Sequence, residues 1–254
     1  MPRCYLALGG NRGDVAATFD RCLRTLGNVC EVCISRVSRF IETVPVGERG
    51  ASDPPRFLNA VAEIDTALAA DELLALCRRV EDECGRVRTV HWGPRTLDLD
   101  LILYGQDVID TSRLKVPHPA CWYRQFVLDP LVEIAPDIVH PVKRLSVSAL
   151  RARLLVRPFH LSIAGDMRPS RREILIATAQ AEFPDIVFTA WEHRDSWQRA
   201  TPEPTLILWF EGQRDSSATA TFADLPLAAR LDATEAAGTP DDFLRHVLQA
   251  ALNR

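Results

Sequence analysis

Residues 92–103 read Trp92-Gly93-Pro94-Arg95-Thr96-Leu97-Asp98-Leu99-Asp100-Leu101-Ile102-Leu103, and their pattern sets the reading of the fold. From Leu97 onward apolar and polar residues alternate, which is the signature of a β-strand. Leu97, Leu99, Leu101 and Leu103 are expected on one face, with Asp98 and Asp100 sharing the other with Ile102. Carboxylates at i and i+2 lie roughly 7 Å apart at their Cα atoms. Left unpaired, they repel and raise each other's pKa. Divalent cations remove that conflict. Mg²⁺ in particular favours one or two carboxylates, several waters and phosphate oxygens over an all-protein cage. Arg95, following a Gly-Pro turn, is placed to meet phosphates from the other side. A surface strand with two solvated aspartates is the plain alternative, and the neighbouring Arg and turn weigh against it.

Working outward, Cys4–Leu8 reads as a buried strand, followed by a Gly9-Gly10-Asn11 turn. Asp14 is a candidate cap for a helix with Phe19, Cys22, Leu23 and Leu26 at helical spacing, ended by Gly27. Val29–Phe40 and Phe57–Leu68 read as strands around a Pro/Gly-rich loop, with Phe57, Asn59 and Val61 sharing a face. Asp71 opens a second helix with Leu73, Leu74, Cys77 and Val80 as its core stripe, ended by Gly85. Phe126–Ile134 and Val147–Leu155 read as helices.

Near Arg157-Pro158 the pattern restarts. Phe159–Ala164, Ile186–Trp191 and Leu206–Phe210 read as strands, Ser170 opens a helix, and Thr239-Pro240 is an N-cap and N1 pair for a last one. Two domains are therefore expected, residues 1–157 and 158–254.

The composition is that of an ordinary soluble globular protein, with 47% hydrophobic and 25% charged residues. A net charge of −4 argues against non-specific nucleic-acid binding, and no apolar run reaches the ~20 residues of a membrane span. The N-terminus enters a strand directly, so no signal peptide is read and a cytoplasmic location is expected. All seven cysteines lie at positions 4 to 121, an odd, scattered set that suggests reduced thiols. Cys30-x-x-Cys33 falls in an alternating stretch that would send the two thiols to opposite faces. No second pair completes a zinc site, so packing is the expected role.

Six segments together resemble the 6-hydroxymethyl-7,8-dihydropterin pyrophosphokinase family of folate biosynthesis. They are Leu6-Ala7-Leu8-Gly9-Gly10-Asn11, Thr43-Val44-Pro45-Val46-Gly47, Phe57-Leu58-Asn59, Gly85-Arg86-Val87-Arg88, the Trp92–Asp100 run, and Val116-Pro117-His118 with Arg124-Gln125-Phe126-Val127. The resemblance covers about residues 1–157 and does not reach the C-terminal portion. It implies an α+β fold of ferredoxin-like topology. It also implies transfer of the terminal two phosphates of ATP to a pterin hydroxymethyl oxygen, with AMP released.

On that resemblance Asp98 and Asp100 hold two Mg²⁺ ions, and Arg86 and Arg95 join them as catalytic residues. ATP contacts fall to Arg86, Arg88, His91, Trp92, Arg95, Leu101, His118 and Arg124. The pterin falls to Phe57 and Phe126 as stacking aromatics, to Asn59, and to the backbone of Thr43, Pro45 and Val46. This sequence departs from the pattern at His91, where Arg is usual, at Gly10 in place of a frequent Ser, with an effect expected on the turn, and at Cys121, where Met is frequent. The expected partners are thus two small molecules, ATP and hydroxymethyldihydropterin, with no nucleic acid and no membrane. The rival readings are a catalytically silent pterin- or nucleotide-binding module and another Asp-x-Asp metal-dependent nucleotidyl or glycosyl transferase. Phe57, Asn59 and Phe126 have no task in such a transferase.

Residues 158–254 read as a small α/β domain. Gly165 to Arg172 has the strand–Gly–helix frame of a phosphate loop. Ser170 stands where the second Gly belongs, Arg171 where Lys belongs, and Arg172 where the Mg²⁺-binding hydroxyl belongs. A degenerate phosphate-loop kinase-like domain and an inactive docking or dimerisation domain are the two readings, and the lost loop residues favour the second.

Overall fold

The computed structural model describes residues 1–46, 55–86, 95–191, 203–211, 221–234 and 238–253. The chain forms two compact units, residues 1–151 and 152–252.

The first unit runs β1 (Arg3–Gly10), α1 (Val15–Gly27), β2 (Val32–Val37), β3 (Ile41–Thr43), β4 (Phe57–Thr66), α2 (Ala70–Glu83) and β5 (Asp98–Tyr104). A two-stranded ribbon follows, β6 (Ile109–Asp110) with β7 (Lys115–Val116), and then α3 (Gln125–Ile134). The main sheet has the order β2-β4-β1-β5, with β3 also paired to β4, and every pairing is antiparallel. Strand–helix–strand, strand–helix–strand in that order is the ferredoxin-like split βαβ arrangement.

Asp14 caps α1, its Oδ1 accepting the Ala17 N–H at 3.0 Å. The second helix begins one residue before Asp71, where Glu72 accepts the Ala69 N–H at 2.8 Å. Both helices lie on one face of the sheet. Phe19, Cys22, Leu26, Leu73, Leu76, Cys77 and Val80 pack there against Cys4, Leu6, Leu8, Ile64, Leu97, Leu99 and Leu101. The opposite face carries Tyr5, Ala7 and Gly9 of β1, Asn59, Val61 and Glu63 of β4, and Asp98 and Asp100 of β5. Against β4 packs α3.

Two strand readings need correction. Val29–Phe40 is not one strand. A turn closed by Val32 N–H to the Val29 carbonyl (2.9 Å) precedes β2. At the other end Ser38 exchanges bonds with the Val61 backbone, its N–H donating and its Oγ accepting, both at 2.9 Å, and breaks the run before β3. Cys30 sits in that turn and Cys33 on the strand, both exposed, so packing does not describe them. The other five thiols are buried, and burial pushes Cys4, Cys77 and Cys121 up to about 12. The second correction is a register shift between Tyr5 and Leu6, which makes Ile102 the extra residue of a β-bulge. Leu103 pairs with Tyr5 and so leaves the face of Leu99 and Leu101.

After α4 (Val147–Leu154), the second unit runs β8 (Phe159–Gly165), α5 (Pro169–Glu182), β9 (Ile186–Ala190), β10 (Leu206–Phe210), β11 (Arg230–Asp232) and α6 (Pro240–Leu252). Its sheet is all parallel in the order β11-β10-β8-β9, as expected of an α/β unit whose strands read as near-continuous apolar runs. Thr239 caps α6 through the Asp242 N–H at 3.1 Å. No helix among the described residues is long and apolar enough to cross a membrane.

Candidate active site

Antiparallel register lines up two rows across the site face of the first unit. Asn59, Gly9 and Asp98 form one row on β4, β1 and β5; Val61, Ala7 and Asp100 form the next. Asn59 and Asp98 are thus two strand spacings apart, roughly 10 Å. Between them lies a glycine with no side chain. A Cβ built on Gly9 would stand 3.4 Å from Asn59 Oδ1 and 3.9 Å from the Asp98 Cβ. The centre strand therefore offers a flat floor with an amide at one end and a carboxylate pair at the other.

At the amide end, Asn59 Nδ2 donates to Thr43 Oγ1 at 2.8 Å, which fixes the amide with Oδ1 over the floor. Thr43 and Pro45 are buried and Val46 half-buried. Phe57 lies on β4 two residues from Asn59, and Phe126 lies in the first turn of α3, both half-buried. The Arg124 guanidinium stands 5.6 Å from the Phe126 ring centroid.

At the carboxylate end, Asp98 is bracketed by two guanidinium groups. Arg86 Nη1 lies 2.6 Å from Oδ1, and Arg95 Nη1 pairs with Oδ2. Arg86 also pairs with the buried Glu81. The backbone of Arg95 is clamped by Asn11, whose Oδ1 accepts the Arg95 N–H at 2.9 Å and whose N–H donates to the Arg95 carbonyl at 2.9 Å. Gly10 ends β1 against this clamp. A Cβ there would meet the Thr96 carbonyl oxygen at 2.7 Å, so glycine serves a close strand approach and not only the turn. Among the described residues, the buried atoms Asn11 Nδ2, Thr96 Oγ1 and Gln125 Oε1 have no hydrogen-bond partner.

Next along β5, Asp100 Oδ2 stands 3.9 Å from His118 Nε2. His118 Nδ1 accepts the Ala120 N–H at 3.2 Å, so the neutral ring carries its proton on Nε2, towards Asp100. Burial lowers the His118 pKa, with Asp100 opposing it.

The sequence-predicted residues Thr43, Pro45, Val46, Phe57, Asn59, Arg86, Arg95, Asp98, Asp100, His118, Arg124 and Phe126 are all described. Arg88, His91 and Trp92 lie outside the described residues. Leu101 is the exception among the rest: its side chain belongs to the core on the helix-covered face, opposite the two carboxylates. Sequence reasoning passed over Glu81 and Asn11. Asn11 stood inside a quoted motif, whereas Glu81 carried only the signal of an acid four residues before a helix-ending glycine.

The chain matches the sequence profile of the 7,8-dihydro-6-hydroxymethylpterin-pyrophosphokinase (HPPK) family over residues 5–136. It belongs to that family. Over 134 residues it is 43% identical to the 2-amino-4-hydroxy-6-hydroxymethyldihydropteridine pyrophosphokinase of Bacillus subtilis, covering 53% of this chain and 78% of that one. The Pseudomonas aeruginosa protein of the same name is 42% identical over 141 residues, covering 56% and 85%. Among solved structures, an HPPK-DHPS in complex with substrates aligns with a TM-score of 0.48 at 11% identity, over 87% of this chain and 59% of that chain.

Proposed function

We infer that this chain is an ATP-dependent pyrophosphokinase acting on 6-hydroxymethyl-7,8-dihydropterin in folate biosynthesis. The row Asn59–Gly9–Asp98 carries the inference. It joins an amide suited to the edge of a flat, hydrogen-bonding bicycle to a carboxylate flanked by arginines suited to phosphate, across a glycine that leaves the space between them open to a planar group. Phe57 and Phe126 flank the amide end as stacking surfaces, and Asn59 Oδ1 accepts from a ring N–H.

The reaction forms a bond from the hydroxymethyl oxygen to the β-phosphorus while the bridge to the α-phosphate breaks. AMP leaves, and the hydroxyl proton passes to solvent. Such transfer rests on positioning and charge neutralisation rather than covalent help. Arg86, Arg95 and Arg124 supply planar, bidentate donors to phosphate oxygens, together with His118 Nε2–H. Asp98 and Asp100 suit Mg²⁺: they are hard oxygen donors on one strand face, and an ion held by such a pair would take phosphate oxygens and water as its other ligands. When bound, two such ions neutralise phosphate charge and polarise the attacking hydroxyl. Arg86 and Arg95 both pair with Asp98.

Residues 1–157 would carry this activity, in the cytoplasm. Residues 158–254 would form a docking domain. The test is AMP release from ATP with and without hydroxymethyldihydropterin. Release that requires the pterin supports the reading, and pterin-independent release or none overturns it.

A further inference from the structure

The C-terminal end of α2 is a complete Schellman motif. Gly85, at φ +77°, donates its N–H to the Asp82 carbonyl at 3.0 Å, and Arg86 donates its N–H to the Glu81 carbonyl at 3.1 Å. This motif brings the residue after the glycine, Arg86, back against the residue four before it, Glu81. A hydrophobic contact usually occupies that pair of positions. Here they hold an ion pair, with Glu81 only 2% exposed and the Arg86 side chain 15%. A buried ion pair is weak support for stability, since apolar replacements of similar volume are often as good. The arrangement needs another explanation.

Its connections supply one. Glu81 Oε1 also accepts the Leu99 N–H at 2.8 Å, so one carboxylate oxygen ties α2 to the β5 residue between Asp98 and Asp100. From Glu81, Arg86 Nη1 reaches Asp98 Oδ1 at 2.6 Å. Phosphates and counter-cations bound at Asp98 would compete with Arg86 for that carboxylate. Glu81, buried on the helix side, would remain its partner.

We propose that Glu81 is a positioning residue that holds the Arg86 guanidinium at the mouth of the site for the phosphates of the pyrophosphoryl donor. The proposal rests on the pyrophosphokinase reading. Glu81 touches no reacting atom. It acts through Arg86, and a carboxylate is required because an apolar or amide side chain there would let the guanidinium swing into solvent or lock onto Asp98.

The test is a double-mutant cycle in the full chain with Glu81→Gln, Arg86→Ala and both together. It is read by kcat, by KM for each substrate, by calorimetric affinity for ATP with Mg²⁺, and by melting temperature. Glu81→Gln keeps an acceptor for Leu99 and removes the charge. It is expected to lower kcat by about 10- to 100-fold, the scale of an ångström-sized misplacement, and to leave pterin KM unchanged. In the double variant the loss should not exceed that of Arg86→Ala alone, and Glu81→Asp should recover part of kcat. Additive losses, or equal falls in pterin affinity, ATP affinity and melting temperature, overturn the proposal and make Glu81 a brace for β5. Should Glu81→Gln not fold, Glu81→Asp enters the same cycle with the same criterion. Absence of AMP release by the unaltered protein would defeat the pyrophosphokinase reading instead. The ATP-binding cycle would still decide Glu81, by whether its effect vanishes once Arg86 is gone.

Discussion

His118 hangs from Ile102. Its backbone N–H donates to the Ile102 carbonyl at 3.0 Å, and that carbonyl is available because Ile102 is the bulged residue of β5, with no partner on β1. The bulge therefore does two things. It turns Leu103 away from the face of Leu101, and it places an imidazole beside Asp100 on the strand that carries both carboxylates.

Asp98→Ala or Asp100→Ala is expected to abolish turnover with the fold intact. Both side chains are partly exposed on the site face and fill no core volume. Asp98→Ala leaves Arg86 paired with Glu81, so no buried charge is stranded. Melting temperature should barely fall. A variant that kept more than a tenth of the unaltered rate at saturating Mg²⁺ would remove that aspartate from the metal assignment.

Phe57→Ala and Phe126→Ala are expected to weaken pterin binding by about 1–3 kcal/mol through lost stacking and burial. ATP affinity should change far less, because Phe57 shares β4 with Asn59 and the helix that carries Phe126 packs on that same strand. Calorimetry with each ligand separates the effects. Equal losses for both ligands would make these rings simple core.

Much of this site was legible in the sequence because period-2 patterning places residues on faces. Asp98 with Asp100, and Phe57 with Asn59, were assigned together from alternation alone. The bulge was not legible: Leu101-Ile102-Leu103 is apolar throughout, so an extra residue there breaks no pattern. The Asn59–Gly9–Asp98 row depends on register between three strands distant in sequence, which alternation cannot supply. Ser38 was hidden for a different reason. A serine reads as one more polar position in a strand unless its hydroxyl is known to accept a neighbouring strand's N–H. Glu81 looked like an ordinary solvated acid at a helix end, and only the Schellman turn buries it against Arg86.

His140 makes stability depend on pH. It is 4% exposed, its Nδ1 accepts the Val142 and Lys143 N–H groups at 3.2 and 3.1 Å, and its Nε2 stands 3.6 Å from Cys121 Sγ. Burial, reinforced by Lys143, lowers its pKa from 6.5 to about 4. Between those values the unfolded chain binds the extra proton, so stability is full above about pH 6.5 and is lost as pH falls towards 4. The loss amounts to about 3 kcal/mol at most. Urea unfolding from pH 7 to 4 should show this slope, and His140→Gln should flatten it. An unchanged slope in that variant would assign the acid sensitivity to other groups.

Gly165→Ala should unfold the second unit selectively. At φ +102°, Gly165 brings β8 so close to β10 that an added Cβ would stand 2.1 Å from the Phe210 carbonyl oxygen. Backbone strain and the forced separation of the strands together cost about 3 kcal/mol or more. A two-step melting profile with pterin-dependent AMP release preserved is the expected result. A single unshifted transition would mean the strands relax around the methyl group.

A chain ending at Arg157 is expected to keep pyrophosphokinase activity, since every residue assigned to substrate lies before that point and the cut leaves α4 whole. The remaining residues should not hydrolyse ATP. A phosphate loop works by aiming N–H groups inward at an anion. Here the loop between β8 and α5 aims carbonyls inward instead, and Arg172 fills it, its Nη2 donating to the Gly165 and Met167 carbonyl oxygens at 2.9 and 3.3 Å. A guanidinium held in this way occupies the space a phosphate would need. Calorimetry of the full chain with ATP and Mg²⁺ should therefore give one binding event, unaltered by Arg172→Ala. A second event, or ATP hydrolysis independent of pterin, would show that the second unit retains a nucleotide site. Loss of turnover in the truncated chain, with its first unit still folded, would move the functional boundary beyond Arg157.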